Sequence, residues 1–202
     1  MMLPALDVLQ SSANFKLIGN GFMEDLLLET ATERDIDEIM ELEVLGFKSG
    51  VVERADVFLG RIKHFPDGFL LIRDPSSKKA LGYISSEIWV RHEVIKEEMF
   101  TLNHGIEETH SFFGSEIYVT SMTIHPDYRG TGLGSFLFSE CIRKLKNIYP
   151  NIKSSVLIVN ETWVNAKKIY DKEEFIELFR ISDFFNPDGE APQDAIVMRK
   201  AL

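Results

Sequence analysis

Only one cysteine, Cys141, stands in the 202 residues, and a lone thiol excludes an internal disulfide framework. It falls on the apolar stripe of an expected helix, where a buried structural thiol is the reading rather than a nucleophile. Basic residues are also in deficit. The chain has 22 Lys and Arg against 32 Asp and Glu, a net charge of −10. That balance excludes a nucleic-acid backbone as the main partner, because phosphate binding calls for a basic surface. A cationic substrate suits such a charge, and so does solubility alone. No apolar run approaches the length of a membrane span, and the opening MMLPALDVLQSSANF lacks the basic lead and apolar core of a secretion signal. A cytoplasmic protein without membrane contact is therefore expected. Internal repeats and low-complexity segments are absent too.

What is present fits one enzyme-sized domain, since 45% hydrophobic and 27% charged residues are enough to build a single substantial core at this length. Residues 1–21 read as an N-terminal extension, broken at Ser11-Ser12-Ala13-Asn14 and Gly19-Asn20-Gly21. Residues 22–202 read as the domain. Leu26–Thr30 is an expected first strand, and Thr32 with Asp35 is an expected cap for a helix running to about Leu45. A second helix is expected over Arg54–Lys63. Gly68–Arg73 and Ala80–Val90 read as a hairpin turned by Asp74-Pro75-Ser76-Ser77. Arg91–Gly114 is a long polar segment of mixed helical character. Ile176–Ile181 and Ala195–Lys200 read as a closing hairpin.

The chemistry concentrates in Met122–Gly134, MTIHPDYRGTGLG. Upstream, Ile117–Ile124 carries the Ile, Val, Thr and Tyr that suit a pleated strand. Downstream, Leu133, Phe136, Leu137, Cys141 and Leu145 recur at helical spacing. Gly130, Gly132 and Gly134 between them allow a tight turn and close approach to a ligand. A helix that opens there aims unpaired N–H groups and the positive end of its dipole at the turn, so an anion is the expected occupant. Two familiar nucleotide loops are excluded. G-x-G-x-x-G fails at Ser135 from Gly130 and at Leu137 from Gly132, and the triphosphate loop lacks its Lys between Arg129 and Ser135.

Arg129-Gly130-Thr131-Gly132-Leu133-Gly134 matches R/Q-x-x-G-x-G/A, and in this it resembles the GNAT superfamily of N-acetyltransferases. A second segment, Val156–Phe175, reads as an apolar strand ending at Asn160 followed by a short helix closing near Tyr170. It resembles the family's second cofactor motif, with Asn165, Ala166 and Tyr170 at the matching positions and an aromatic at Phe175. The family usually has Gly before that aromatic; this chain has Glu174, which leaves open whether the helix exit is altered. The resemblance covers about Phe22 to the C-terminus and implies an α/β fold, a mostly antiparallel mixed sheet flanked by helices. The layout further resembles the arylalkylamine N-acetyltransferase branch at Glu43–Phe47, at Ser85–Trp89 and at Thr101–Gly105. Where vertebrate members of that branch place two histidines, this chain has Tyr118 and Thr120.

The resemblance implies acetyl-coenzyme A as co-substrate, no metal, and transfer of the acetyl group to an amine. Backbone groups of Met122, Thr123 and Ile124 are expected to pair with the pantetheine arm as another strand would. N–H groups from Gly130, Thr131, Gly132, Leu133, Gly134 and Ser135 are expected to hold the pyrophosphate, with Arg129 adding charge. Asn160 and Asn165 are expected to contact the arm from the other side. A strand amide near Met122 is the expected oxyanion donor.

An ammonium has no lone pair, so the reaction calls for a base at the amine and an acid at the leaving sulfur. Tyr170 is the expected acid, because the motif places it beside the sulfur. For the base, Glu43 falls on the inward face of the first helix; His110 and a water chain stay open beside it. His125, before Pro126, is expected to shape the turn. Phe47, Trp89, Phe112, Phe113 and Tyr118 are candidates for an aromatic-accepting pocket. The expected substrate is a small primary amine, arylalkylamine-like or polyamine-like. A protein amine, or a non-catalytic acyl-coenzyme A sensor on the same fold, stays open, as does the oligomeric state, a homodimer included.

Overall fold

The computed structural model describes residues 13–16 and 25–202. An eight-stranded sheet runs through the molecule in the order β1-β2-β3-β4-β5-β6-β8-β7. Its strands are β1 Ala13–Lys16, β2 Asp25–Thr30, β3 Phe69–Arg73, β4 Ala80–Trp89, β5 Glu116–Ile124, β6 Ser154–Asn160, β7 Ile176–Phe185 and β8 Gln193–Ala201. Every pairing is antiparallel except β5 with β6. The helices are α1 Ile36–Gly46, α2 Ala55–His64, α3 Ile106–Thr109, α4 Leu133–Ile148 and α5 Val164–Lys172. Seven strands and four of the five helices fall where the sequence places them. The eighth strand, β1, lies in the expected N-terminal extension and pairs with β2, so Ala13 and Asn14 belong to a strand rather than a break. The rest of residues 1–21 lie outside the described residues.

Local chemistry accounts for the element ends. The Thr32 N–H and hydroxyl both donate to the Asp35 carboxylate, at 2.7 and 2.8 Å, which secures the entry to α1. Asp74 accepts the N–H groups of Ser76 and Ser77, an Asx-type turn that closes the β3–β4 hairpin. Buried Arg73 joins β3 to the start of α1 through Asp35 and Glu38, and to β2 through Glu29. The polar Arg91–Gly114 segment holds a 3-10 turn, Glu97–Met99, and α3, and it buries Ile95, Phe100 and Ile106.

Alternation along the strands divides the core between two faces. Tyr83 packs with Ile39, Leu42, Phe58 and Ile62 of α1 and α2. Its neighbour Ile84 packs with Leu137, Phe138 and Cys141 of α4. Cys141 is fully buried, and burial pushes its thiol up to about 11, which fits a structural residue.

One irregularity creates the site. The parallel pairing of β5 with β6 ends at Val119 and Leu157, although both strands continue. Beyond that point β6 stays paired with β8 as far as Asn160, and β5 stays paired with β4 as far as Ile124. A bulge on β5 at Thr120, between the pairs Ser85–Ser121 and Ser86–Val119, adds the bend that separates the two strands. A cleft opens in the middle of the sheet.

Candidate active site

Thr120, Ser121 and Met122 of β5 and Ile158 and Val159 of β6 line a cavity of about 60 Å³ in this cleft. Glu43 of α1 and Tyr170 of α5 reach the same cavity, so the structure brings together the expected base and acid. Glu43 is almost completely buried, 1% exposed. Its Oε1 accepts the Glu53 N–H at 2.8 Å and its Oε2 accepts the Tyr83 hydroxyl. Burial raises its pKa to about 7 against the opposing effect of these two donors, which puts a carboxylate in the range of a general base. Tyr170 is buried against Phe138 and Phe175. Burial pushes its phenol upward, so it keeps its proton at neutral pH.

The glycine turn takes the expected form. Gly130 and Gly132 have φ of +78° and +94°, a region open to glycine at little cost. A Cβ at either position would meet nothing within 4 Å, so these glycines serve backbone direction and leave open space above the turn. Gly132 is the N-cap of α4, and the N–H groups of Leu133, Gly134 and Ser135 face outward without an intrahelical acceptor. Gly134 differs, since a Cβ there would press to 3.0 Å from Ile169; it lets α5 approach α4. Thr131 donates its hydroxyl to the Tyr128 carbonyl at 2.7 Å. The Arg129 guanidinium is engaged with backbone, donating to the Ile124 carbonyl at 3.1 Å and the Leu45 carbonyl at 3.5 Å. It pins the turn to the ends of β5 and α1. His125 Nδ1 accepts the Asp127 N–H and shapes the turn as expected.

Past Val119, β5 has no partner on its β6 side among the described residues. The unpaired edge includes Met122, Thr123 and Ile124, with Thr123 facing α1 closely enough that residue 46 has to be glycine. Met122 lines the cavity itself. An extended amide chain fits this edge, and an anion fits the turn at its end.

Several sequence candidates lie elsewhere. The Asn160 side chain is buried, donates to Gln193 at 2.6 Å and accepts the N–H and hydroxyl of Thr162. Its side-chain amide is hydrogen-bonded at the strand end, and Asn160 is not among the residues that line the cavity. Asn165 is exposed on the first turn of α5. His110 is half-buried; its Nδ1 accepts the Ile88 N–H, its ring lies against Phe65 and Phe112, and burial lowers its pKa. It does not line the cavity. Among the aromatic candidates only Phe47 does. Trp89 and Tyr118 stack on each other in the core at 4.0 Å, and Phe112 and Phe113 are exposed away from the cavity lining. The aromatic wall is instead Phe47, Trp163 and Phe185, with adjacent ring centroids 5.1 Å apart.

Sequence reasoning missed Glu53, Tyr83 and Ser121 because their roles arise from distant pairing. Glu53 lines the cavity, and Arg61 grips its carboxylate with two hydrogen bonds of 2.9 Å. Arg61 also faces Glu87, which accepts from Trp89, His104 and Thr109. His104 contacts two acceptors, the Thr101 carbonyl at 2.7 Å and Glu87 at 2.9 Å, so both ring nitrogens donate and the ring is an imidazolium. Burial is the largest single effect and opposes that charge, but the hydrogen bond and the negative charge of Glu87, with the Thr101 carbonyl, together hold the pKa above the ordinary value. Behind the cavity lies a compensated run of buried charges: Glu53, Arg61, Glu87 and His104.

A family model described as an acetyltransferase (GNAT) domain matches residues 93–184. No curated protein sequence matches the chain. Among solved structures, the loading GNATL domain of CurA from Lyngbya majuscula aligns with a TM-score of 0.75 at 13% identity, covering 87% of this chain and 97% of that one. A GphF GNAT-like decarboxylase in complex with isobutyryl-CoA aligns at 0.68 and 12% identity, covering 86% and 98%. The ribosomal-protein-S18-alanine N-acetyltransferase from Escherichia coli aligns at 0.64 and 14% identity, covering 87% and 93%. At these identities the structural likeness establishes the shared fold. Residues 93–184 thus match an acetyltransferase (GNAT) domain model, and the chain shares its mixed α/β fold with GNAT structures.

Proposed function

We propose that this protein transfers the acetyl group of acetyl-coenzyme A to the primary amine of a small molecule in the cytoplasm, the substrate being arylalkylamine-like or polyamine-like. The observation that carries the proposal is the shared cavity of Glu43 and Tyr170 at the parting of β5 and β6. The thioester supplies an acetyl carbonyl open to amine attack and a thiolate leaving group.

In this reading the backbone of Met122, Thr123 and Ile124 holds the pantetheine arm along the free β5 edge, and Asn165 meets it from α5. The N–H groups of Gly130 to Ser135 hold the pyrophosphate, while Arg129 fixes the turn from behind. A β5 amide near Met122 donates to the developing oxyanion. Glu43 takes the proton that the ammonium has to lose. Tyr170, kept protonated by burial, gives a hydrogen bond and then a proton to the sulfur. Phe47, Trp163 and Phe185 provide an apolar wall for the amine's organic part. That wall favours an arylalkylamine over a polyamine, because the second carboxylate at the cavity, Glu53, is already neutralised by Arg61.

The test is release of coenzyme A thiol from acetyl-coenzyme A across arylalkylamines, polyamines, amino-acid amides and peptide N-termini. Saturable release with a small amine supports the reading. Release with peptides alone replaces it with protein N-acetylation, and tight cofactor binding without release replaces it with a sensor.

A further inference from the structure

Glu43 borders the cavity, yet both its oxygens are already engaged by donors: the Glu53 N–H on Oε1 and the Tyr83 hydroxyl on Oε2. Tyr83 itself is fully buried on β4 and is not part of the cavity wall. Its oxygen lies 2.8 Å from Ser121 Oγ. Ser121 sits on β5 directly across from Ser85 and just past the bulge, it is partly exposed, and it does line the cavity. A continuous file of hydroxyls therefore leads from the cavity to a buried carboxylate.

The hydrogen count fixes the direction of the file. A phenol has one proton, and with Glu43 ionised that proton is given to Oε2. The Tyr83 oxygen is then left to accept, so Ser121 donates to it. Ser121's remaining lone pairs are left facing the cavity.

We propose that Ser121, Tyr83 and Glu43 form a relay that carries the proton of the substrate ammonium from the cavity to the Glu43 carboxylate. The inference rests on the acetyl-transfer reading of the site. The ammonium N–H bond breaks as its proton joins Ser121 Oγ; the Ser121 proton passes to the Tyr83 oxygen; the Tyr83 proton passes to Glu43 Oε2. Three O–H bonds form, and one N–H and two O–H bonds break. The products are a neutral amine with a free lone pair and a neutral Glu43. The file ends with its direction reversed, Glu43 donating to Tyr83 and Tyr83 to Ser121. In this scheme Ser121 is the group that touches substrate, Tyr83 conducts, and the Glu53 N–H positions the carboxylate.

Steady-state kinetics on the intact chain test it, with wild type beside Ser121→Ala, Ser121→Thr and Tyr83→Phe. The relay predicts that Ser121→Ala and Tyr83→Phe each lose about 100-fold in kcat while KM for acetyl-coenzyme A stays within about twofold, as expected when only a transition-state interaction is removed. Ser121→Thr, which keeps the hydroxyl, restores most of the rate. Should Tyr83→Phe fail to fold, Ser121→Ala carries the test, since its side chain sits at the cavity surface. Wild-type kcat in Ser121→Ala overturns the relay and leaves Glu43 accepting directly. A wild type that releases no thiol with any amine overturns the acetyl-transfer reading, and the relay with it.

Discussion

Glu43 on α1 and Tyr170 on α5 come from helices separated by four strands and by more than a hundred residues, yet they line one cavity. Each is conditioned by burial in the direction its role needs. A carboxylate with a pKa of about 7 accepts a proton near neutrality, and a phenol pushed upward keeps one.

The acid limb of kcat against pH therefore follows Glu43. The groups that face it are Glu53, Arg61 and Tyr83. Activity is expected to rise with pH through about 7, where the carboxylate ionises, and to level off above it. Glu43→Gln removes that limb and lowers kcat by about 100-fold or more. A pH profile of both proteins, read by thiol release, checks this.

The same shift is a statement about stability. Because the folded pKa of about 7 lies above the reference value of 4.5, Glu43 contributes stability that is fully present below about 4.5 and lost as pH rises through about 7. The size is about 3 kcal/mol. Relative to wild type, Glu43→Gln is expected to gain stability progressively across that window. Denaturant unfolding at pH 5 and pH 8 measures the difference.

At the exit of α5, Glu174 has φ +63°. The Phe175 N–H bonds the Tyr170 carbonyl and the Glu174 N–H bonds the Asp171 carbonyl, the paired bonds of a Schellman ending. Glu174 thus keeps the conformation glycine would take, and the helix exit is unchanged, a point the sequence left open. Glu174→Gly is expected to stabilise by about 0.5–1 kcal/mol, the left-handed strain less the entropy cost of glycine. Thermal unfolding reads it directly.

Gly132→Ala tests the turn. Nothing crowds the new Cβ, so any effect comes from φ +94°, at a cost of about 1–2 kcal/mol. The backbone N–H array is expected to shift and acetyl-coenzyme A affinity to fall about tenfold in calorimetric titration, with little change in the far-ultraviolet spectrum.

Arg61→Met tests the buried charge run. It leaves Glu53 and Glu87 without their shared cation, and truncating one partner of such a pair costs about 3–5 kcal/mol. Restoring neutrality with Glu53→Gln and Glu87→Gln beside it is expected to recover part of that loss in denaturant unfolding.

The legible part of this molecule was local. Strand periodicity, the Thr32–Asp35 cap and the Asp74 turn announced themselves within a few residues, and so did the glycine turn. The inward Glu43 followed from helical spacing alone. What was not legible depends on partners far along the chain. Tyr83 and Ser121 look like ordinary strand residues until β4 pairs with β5. The bonds of the Asn160 amide to Gln193 and Thr162 appear only once β6 pairs with β8. Of the aromatic wall only Phe47 was found, because ring content is visible in sequence while the contact of Trp163, at the start of α5, with Phe185, at the end of β7, is made by the fold.

The most direct test of the central claim is coenzyme A thiol release by wild type and by Glu43→Gln with a panel of small primary amines at pH 8. The account predicts saturable release by wild type with an arylalkylamine and a loss of about 100-fold in the variant. Equal turnover in the two proteins, or no release by wild type with any small amine, contradicts it.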